Sequence, residues 1–134
     1  MTKNDDFQVG GNPNMLYDLR QTYAMNILTP ILILIEQYRE SNDFKKWYDK
    51  LTSSLYTNIY QKLTEEEREE YKRQNEKCIA ILNQYPNAFA GRDTTDKNLF
   101  VVKQSIVTLE MWLKDKMESH GLFGKGSEFD WDEI

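Results

Sequence analysis

The feature that most constrains the fold is a row of bulky apolar residues that recur at steps of three and four between residues 44 and 63. This spacing places side chains on one face of an α-helix, whereas a strand repeats every two residues. Ser41-Asn42-Asp43 precedes the row and offers residue types that cap helix N-termini. A helix of about 20 residues, roughly 30 Å long, is therefore predicted here. Its stripe consists of Phe44, Trp47, Leu51, Leu55, Ile59 and Leu63.

Two proline residues, each preceded by a residue type that caps helices, occur before this helix. Asn12-Pro13 combines a cap residue with proline at the first helical position, which predicts a first helix with Leu16, Leu19, Tyr23 and Ile27 on one face. Thr29-Pro30 repeats the signal, so either a second helix starts there or the first one kinks. The run from Ile31 to Ile35 is apolar all round, which favours a centrally buried helix but also permits a short buried strand.

Two further helices follow. Thr64 and Glu67 match a capping box, which predicts the start of a helix. The residues that follow are mostly charged and include few apolar side chains, so this helix is expected on the outside of the bundle. Pro86 is expected to end it. A loop is expected over 87–95. Thr94 or Thr95 then caps a last helix that ends at His120-Gly121, where glycine can adopt the left-handed conformation. Its stripe consists of Leu99, Val102, Ile106, Leu109, Leu113 and Met117.

The predicted fold class is all-α, a four- to five-helix bundle with an extended acidic-aromatic C-terminal tail. Residues 1–12 are read as a polar N-terminal arm, 13–120 as the bundle, and 121–134 as a glycine hinge and docking tail. A chain of 134 residues fits one domain.

The distribution of charge and the length of the apolar runs limit the kinds of partner that the chain is expected to bind. Residues 127–134 carry −4 of the net charge of −5, so the rest of the chain is nearly neutral and direct nucleic-acid binding is not expected. The most apolar run, Ile27 to Ile35, is nine residues long against the roughly 20 that a membrane crossing needs, so no membrane span is expected. The single cysteine, Cys78, rules out an intrachain disulfide framework and fits the cytoplasm, or assembly there into a virus particle.

No catalytic, cofactor-binding or metal-binding residue is predicted. One histidine, His120, and one cysteine are too few for a zinc or di-metal site, and a Cys78–His120 nucleophile pair is disfavoured because Cys78 lies on an apolar line. The glycine-rich stretch 121–126 lacks the Walker spacing. Carboxylate pairs at Glu36/Glu40 and Asp115/Glu118 leave an enzyme with an unrecognised carboxylate site as a third hypothesis.

The C-terminal tail alternates acids with bulky hydrophobes and follows three glycines. Its acids (among them Asp130 and Asp132) are costly to bury, while Phe129, Trp131 and Ile134 are unfavourable in water, so a protein partner is expected to bind it. A frayed, solubilising end is the alternative. The helix after residue 43 adds Tyr56 and Tyr60 beside its stripe, which are either packed between neighbouring helices or form a contact face for another subunit.

These features favour a non-enzymatic assembly or adaptor protein that forms a homo-oligomer. A small helical bundle with an extended C-terminal arm resembles, in architecture alone, the head-to-tail connector (adaptor) subunits of tailed phages. The resemblance implies a ring beneath the portal, with tails that grip adjacent proteins. The alternative is a small regulatory binder, an antitoxin or an inhibitor of a host enzyme, whose acidic tail occupies a basic groove on its target.

Overall fold

The computed structural model describes residues 24–122, which fold into five helices. These are α1 (a π-helical turn, Ala24–Leu28, continued by Thr29–Glu40), α2 (Phe44–Lys50, then π-helical Leu51–Leu55, α-helical Tyr56–Ile59 and 3₁₀-helical Tyr60–Lys62), α3 (Glu65–Gln84), α4 (Pro86–Phe89) and α5 (Asp96–Ser119). No strand occurs within residues 24–122. The all-α class is confirmed, while the predicted arm, the first turns of the predicted first helix and the tail lie outside the described residues.

Helix α1 runs through Thr29-Pro30 without a break. Leu28 keeps helical dihedrals (φ −81°, ψ −38°), and the π-helical turn lies immediately before the proline. A π-turn widens the backbone where the proline lacks its N–H, so the helix tolerates Pro30. The helix is buried on one side only, because Leu32 and Ile35 are buried while Ile33 is 50% exposed. The expectation of burial all round is therefore wrong for this helix.

Helix α2 is the predicted helix of about 20 residues, and all six residues of its stripe are buried. Asp43 caps it by accepting a hydrogen bond from the Lys46 N–H at 3.3 Å. The helix changes to π geometry at Leu51–Leu55. There the Thr52 hydroxyl donates to the Tyr48 carbonyl at 3.1 Å, the kind of side-chain competition that loosens a helical ladder.

Helix α3 begins at the predicted capping box. The Glu67 N–H donates to the Thr64 hydroxyl at 3.1 Å, and the Thr64 N–H donates to the Glu67 carboxylate at 2.9 Å. Tyr71, Cys78 and Leu82 are its buried residues, and most of the remaining surface is polar and charged, as expected for an outer helix, with Ile79 as its exposed large apolar residue.

The loop predicted over 87–95 is partly helical. Tyr85 leaves the helical conformation (φ −129°, ψ 57°) as residues before proline do, and Pro86 starts the one-turn helix α4. After it, Gly91 adopts a φ of +82°. Thr95 is the N-cap of α5, but its side chain makes no capping bond. The Asp93 carboxylate lies beside this end of the helix and accepts from the Thr95 backbone N–H at 2.9 Å and from the Asn98 side-chain amide (Nδ2) at 2.7 Å.

Helix α5 is the element around which the others assemble. It packs along α3, α2 and α4, while α1 packs on α2. The predicted stripe faces the core: its residues are buried except Leu99, which is half-buried. The predicted stop is confirmed, because Gly121 has a φ of +73°. The Leu122 N–H then bonds the Met117 carbonyl and the Gly121 N–H bonds the Glu118 carbonyl, which is a Schellman motif.

Helices within residues 24–122 are all too short or too polar to cross a membrane.

Candidate interaction surfaces

The residues predicted to bind a partner fall into two groups. Tyr56 and Tyr60 lie on α2 within the described part of the chain. Phe129, Asp130, Trp131, Asp132 and Ile134 lie outside the described residues.

Tyr56 is engaged inside the molecule. Its ring stacks on that of Tyr71 from α3, with 3.6 Å between centroids and 6° between planes, and meets the Tyr60 ring edge-on at 5.5 Å. Burial raises the pKa of the Tyr56 hydroxyl above its ordinary value. This geometry corresponds to a residue packed between neighbouring helices.

Tyr60 keeps more of its ring in solvent. It is 39% exposed, and the Arg68 guanidinium lies over its ring at 4.2 Å from the centroid. An aromatic ring with a cation on one side and water on the other is typical of protein contact surfaces. Of the two predicted tyrosines, Tyr60 is the more exposed within residues 24–122.

The nucleophile pair considered from the sequence is not assembled. Cys78 is 3% exposed, and its thiol donates to the Ser105 hydroxyl at 3.8 Å. Burial raises the pKa of that thiol, which keeps it protonated near neutral pH. His120 instead contacts the Glu67 carboxylate through Nε2 at 2.7 Å, some three turns of α3 away from Cys78. That contact ties the end of α5 to the capping box of α3.

One charged side chain is buried among the described residues, and the sequence reasoning did not single it out. Glu110 is 4% exposed. Its Oε1 accepts from the Trp47 indole N–H at 2.8 Å, while Oε2 accepts from Arg39 at 2.7 Å and from Lys114 at 2.8 Å. The carboxylate therefore joins α1, α2 and α5 through charge-assisted hydrogen bonds. Both carboxylate oxygens are occupied by these donors, so the role that the contacts indicate for Glu110 is to hold the helices together.

The carboxylate pairs noted in the sequence lie at the surface. Glu36 and Glu40 are exposed side chains beside Ile33 on α1. Asp115 is exposed and pairs with Lys116 at 3.5 Å. No cluster of three or more metal-ligating side chains with suitable geometry occurs within residues 24–122.

The outer face of α5 carries two large apolar side chains that nothing in the described part of the chain covers. Phe100 is 61% exposed and Met111 is 65% exposed, the two highest values among the large hydrophobic residues there. Eleven residues span about three turns, so the two side chains project from nearly the same face, about 16 Å apart. Val107 lies between them and is half-buried.

The charged side chains along the middle of this apolar face are basic, and the exposed acids Asp96 and Asp115 lie beyond its two ends. Between residues 97 and 114 the charged side chains are Lys97, Lys103, Glu110 and Lys114, and Glu110 is buried. Lys114 is bound to Glu110, whereas Lys97 and Lys103 form no ion pair with any residue in 24–122. The sequence reasoning missed this α5 face. Its signal was the eleven-residue spacing of Phe100 and Met111 on the side opposite the buried stripe.

No family model, curated protein or solved structure matches the chain. A functional assignment therefore depends on the residues of this chain.

Proposed function

We propose that this protein is a non-enzymatic assembly or adaptor protein, whose helical bundle docks onto neighbouring subunits. Its tail, residues 127–134, takes part in that docking. In this proposal the neighbours are copies of the same chain, as in the rings of a head-to-tail connector in a phage particle.

The observation that carries the proposal is the exposed apolar face formed by Phe100 and Met111. Fully burying a side chain of this size gains about 1.5–3 kcal/mol, so covering the part that is still exposed would gain about 1–2 kcal/mol for each residue. Together they would contribute about 2–4 kcal/mol, which is less than the cost of immobilising a partner. A stable complex therefore needs further contacts, which the basic edge of the same face and the acidic tail offer.

Three side chains of types that enzymes often use, Glu110, Cys78 and His120, support this reading because each has a structural partner. Glu110 joins three helices, and Cys78 is buried against Ser105. His120 completes the contact between α5 and α3. Phe100 and Met111 on α5, in contrast, have most of their side-chain surface uncovered by residues 24–122.

The test is the solution mass of the full-length chain and of the double variant Phe100→Ser/Met111→Ser, measured by light scattering on a sizing column. The wild type is expected to be an oligomer and the double variant a monomer. A matched control is Ile79→Ser on α3, which changes another exposed apolar residue (37% exposed) and should leave the mass unchanged.

A wild-type chain that stays monomeric at about 100 μM, with no change in the double variant, would contradict self-assembly. If that monomer forms a salt-sensitive one-to-one complex with another protein, and the complex is lost when residues 127–134 are removed, the regulatory binder is correct.

A further inference from the structure

The outer face of α5 has the chemistry to receive a peptide that is both aromatic and acidic. Phe100 and Met111 provide an apolar strip, and Lys97 and Lys103 provide positive charges that have no ion-pair partner within residues 24–122. Thioether and aromatic side chains make favourable contacts with aromatic rings. An acidic peptide with bulky hydrophobes between its acids satisfies both parts of this surface.

The chain contains one such peptide. Residues 127–134 include the hydrophobes Phe129, Trp131 and Ile134 and carry four acids, for a charge of −4. Residues 64–71 reach the same net charge of −4, but they belong to α3 and their one aromatic residue, Tyr71, is buried. Residues 1–23 differ, since three acids (Asp5, Asp6 and Asp18) are nearly balanced by Lys3 and Arg20. They also lead directly into α1, on which Ile27 and Ile33 are exposed.

Chain length decides whether the peptide comes from the same molecule or from another. Residues 123–134 extend to at most about 40 Å, and Phe100 lies about 33 Å back along the α5 axis from Leu122. Leu122 is buried on the core side of the helix (4% exposed), so the chain would first have to pass around a helix about 10–12 Å wide. The full length would then be used in reaching Phe100. A chain's own segment could therefore contact the Met111 end, about 16 Å back from Leu122, but could not cover the whole face, whereas the segment of a second copy could.

We propose that the outer face of α5, formed by Phe100, Met111, Lys97 and Lys103, binds the acidic-aromatic C-terminal segment 127–134 of a second copy of this chain. This inference rests on the proposed assembly function and names the two surfaces that meet. The contact is heterologous, because one surface of each copy receives a different surface of its neighbour. Repetition of such a contact generates a closed ring when the rotation between neighbours closes, and a filament when it does not.

The experiment mixes two full-length variants, each defective in one of the two surfaces. The tail variant is Phe129→Ser/Trp131→Ser, and the face variant is Phe100→Ser/Met111→Ser. Each alone is expected to be a monomer, with self-association weakened at least tenfold. In a one-to-one mixture the tail variant supplies an intact face and the face variant an intact tail. The mixture is therefore expected to form a complex of two chains and nothing larger, whereas the wild type forms larger assemblies.

Two controls accompany the mixture. Ile79→Ser in place of the face variant should assemble by itself as the wild type does. Raising the salt from about 50 to 500 mM should weaken the mixed complex severalfold, because charges at a partly exposed surface are screened.

Failure of this inference is distinguishable from failure of the proposed function. If the face variant is monomeric while the tail variant still assembles, the α5 face binds another part of the neighbour and the inference is overturned, but assembly stands. If both variants are monomeric and the mixture does not associate at a hundredfold higher concentration, the tail does not bind this face in another copy. A monomeric protein that carries Trp112→Phe, and in which the fluorescence of Trp131 changes with Phe100→Ser/Met111→Ser, would place the tail on its own chain, which overturns both.

Discussion

Replacing Glu110 by alanine tests how the bundle is held together. The Trp47 indole N–H is fully buried and has Glu110 Oε1 as its acceptor, so the substitution leaves a buried donor unsatisfied at a cost of about 1–3 kcal/mol. Arg39 and Lys114 keep 27% and 47% of their side chains in solvent, so losing their ion pairs costs at most about 1 kcal/mol. With the small cavity left behind, we expect a loss of about 3–4 kcal/mol in the free energy of unfolding.

Two matched substitutions separate hydrogen bonding from charge. Glu110→Gln keeps an oxygen that can accept from the Trp47 N–H, but it places an NH₂ group beside the donors of Arg39 and Lys114. Those two side chains can turn toward solvent, so we expect the free energy of unfolding to fall by about 1–2 kcal/mol. Asp115→Ala removes a carboxylate from the same helix whose side chain is 69% exposed, and should cost less than about 0.5 kcal/mol.

The assay is urea unfolding followed by far-ultraviolet circular dichroism, which does not depend on the environment of Trp47. With a slope of about 2 kcal/mol per M for a chain of this size, the midpoint should fall by about 1.5–2 M for Glu110→Ala. In the background of that substitution, Trp47→Phe should cost about 1–3 kcal/mol less than it does in the wild type, since the indole donor has already lost its acceptor.

Equal midpoint shifts for Glu110→Ala and Asp115→Ala would show that the buried contacts of Glu110 do not stabilise the bundle. Equal losses for Glu110→Ala and Glu110→Gln would also contradict the prediction, because they would assign the cost to the charge and leave nothing for the Trp47 hydrogen bond.

Two further predictions concern groups whose pKa the fold changes. Partial burial raises the pKa of the Glu67 carboxyl. The hydrogen bonds from the Thr64 N–H and from His120, together with the nearby charges of His120 and Lys116, lower this pKa by more, so in the folded chain it lies below its ordinary value. A depressed carboxyl pKa stabilises the folded state above the unfolded value near 4.5 and loses that effect as the pH falls through the folded value. Glu67→Gln should therefore reduce stability by about 1 kcal/mol at pH 7 and hardly at all at pH 3, measured by urea unfolding at both; an equal loss at both would assign the effect to packing. Burial also raises the pKa of the Cys78 thiol, so alkylation by iodoacetamide should be at least a hundredfold slower in the folded chain than in urea, and rapid labelling of the folded chain would show that the thiol is accessible.

Local signals in the sequence predicted the elements of this bundle well, because the residues involved are close in the chain. The capping box at Thr64 and Glu67 and the stop at Gly121 depend on hydrogen bonds that span three to five residues. Among the helical elements, the sequence did not predict the π-helical turns of α1 and α2 or the short helix that starts at Pro86. These depend on small differences between neighbouring hydrogen-bond patterns, which residue types alone do not decide.

The sequence by itself determined where the helices lie and, for α2, α3 and α5, which stripe turns inward, since a period of three to four residues allows only one such arrangement. In α1 the apolar run did not distinguish a buried side, and the predicted face residue Ile27 is 39% exposed. The tertiary structure alone decided which partners meet across the bundle. Nothing in the sequence set Glu110 apart from the other acids, and only the packing of α1 and α2 brings Arg39 and Trp47 to it. The two interpretations of Tyr56 are likewise separated only by Tyr71 of α3, which stacks on its ring. Phe100 and Met111 became a candidate surface for the opposite reason. Whether an apolar residue outside the main stripe is covered depends on how many neighbours surround its helix, and no helix of the described chain packs on that side of α5.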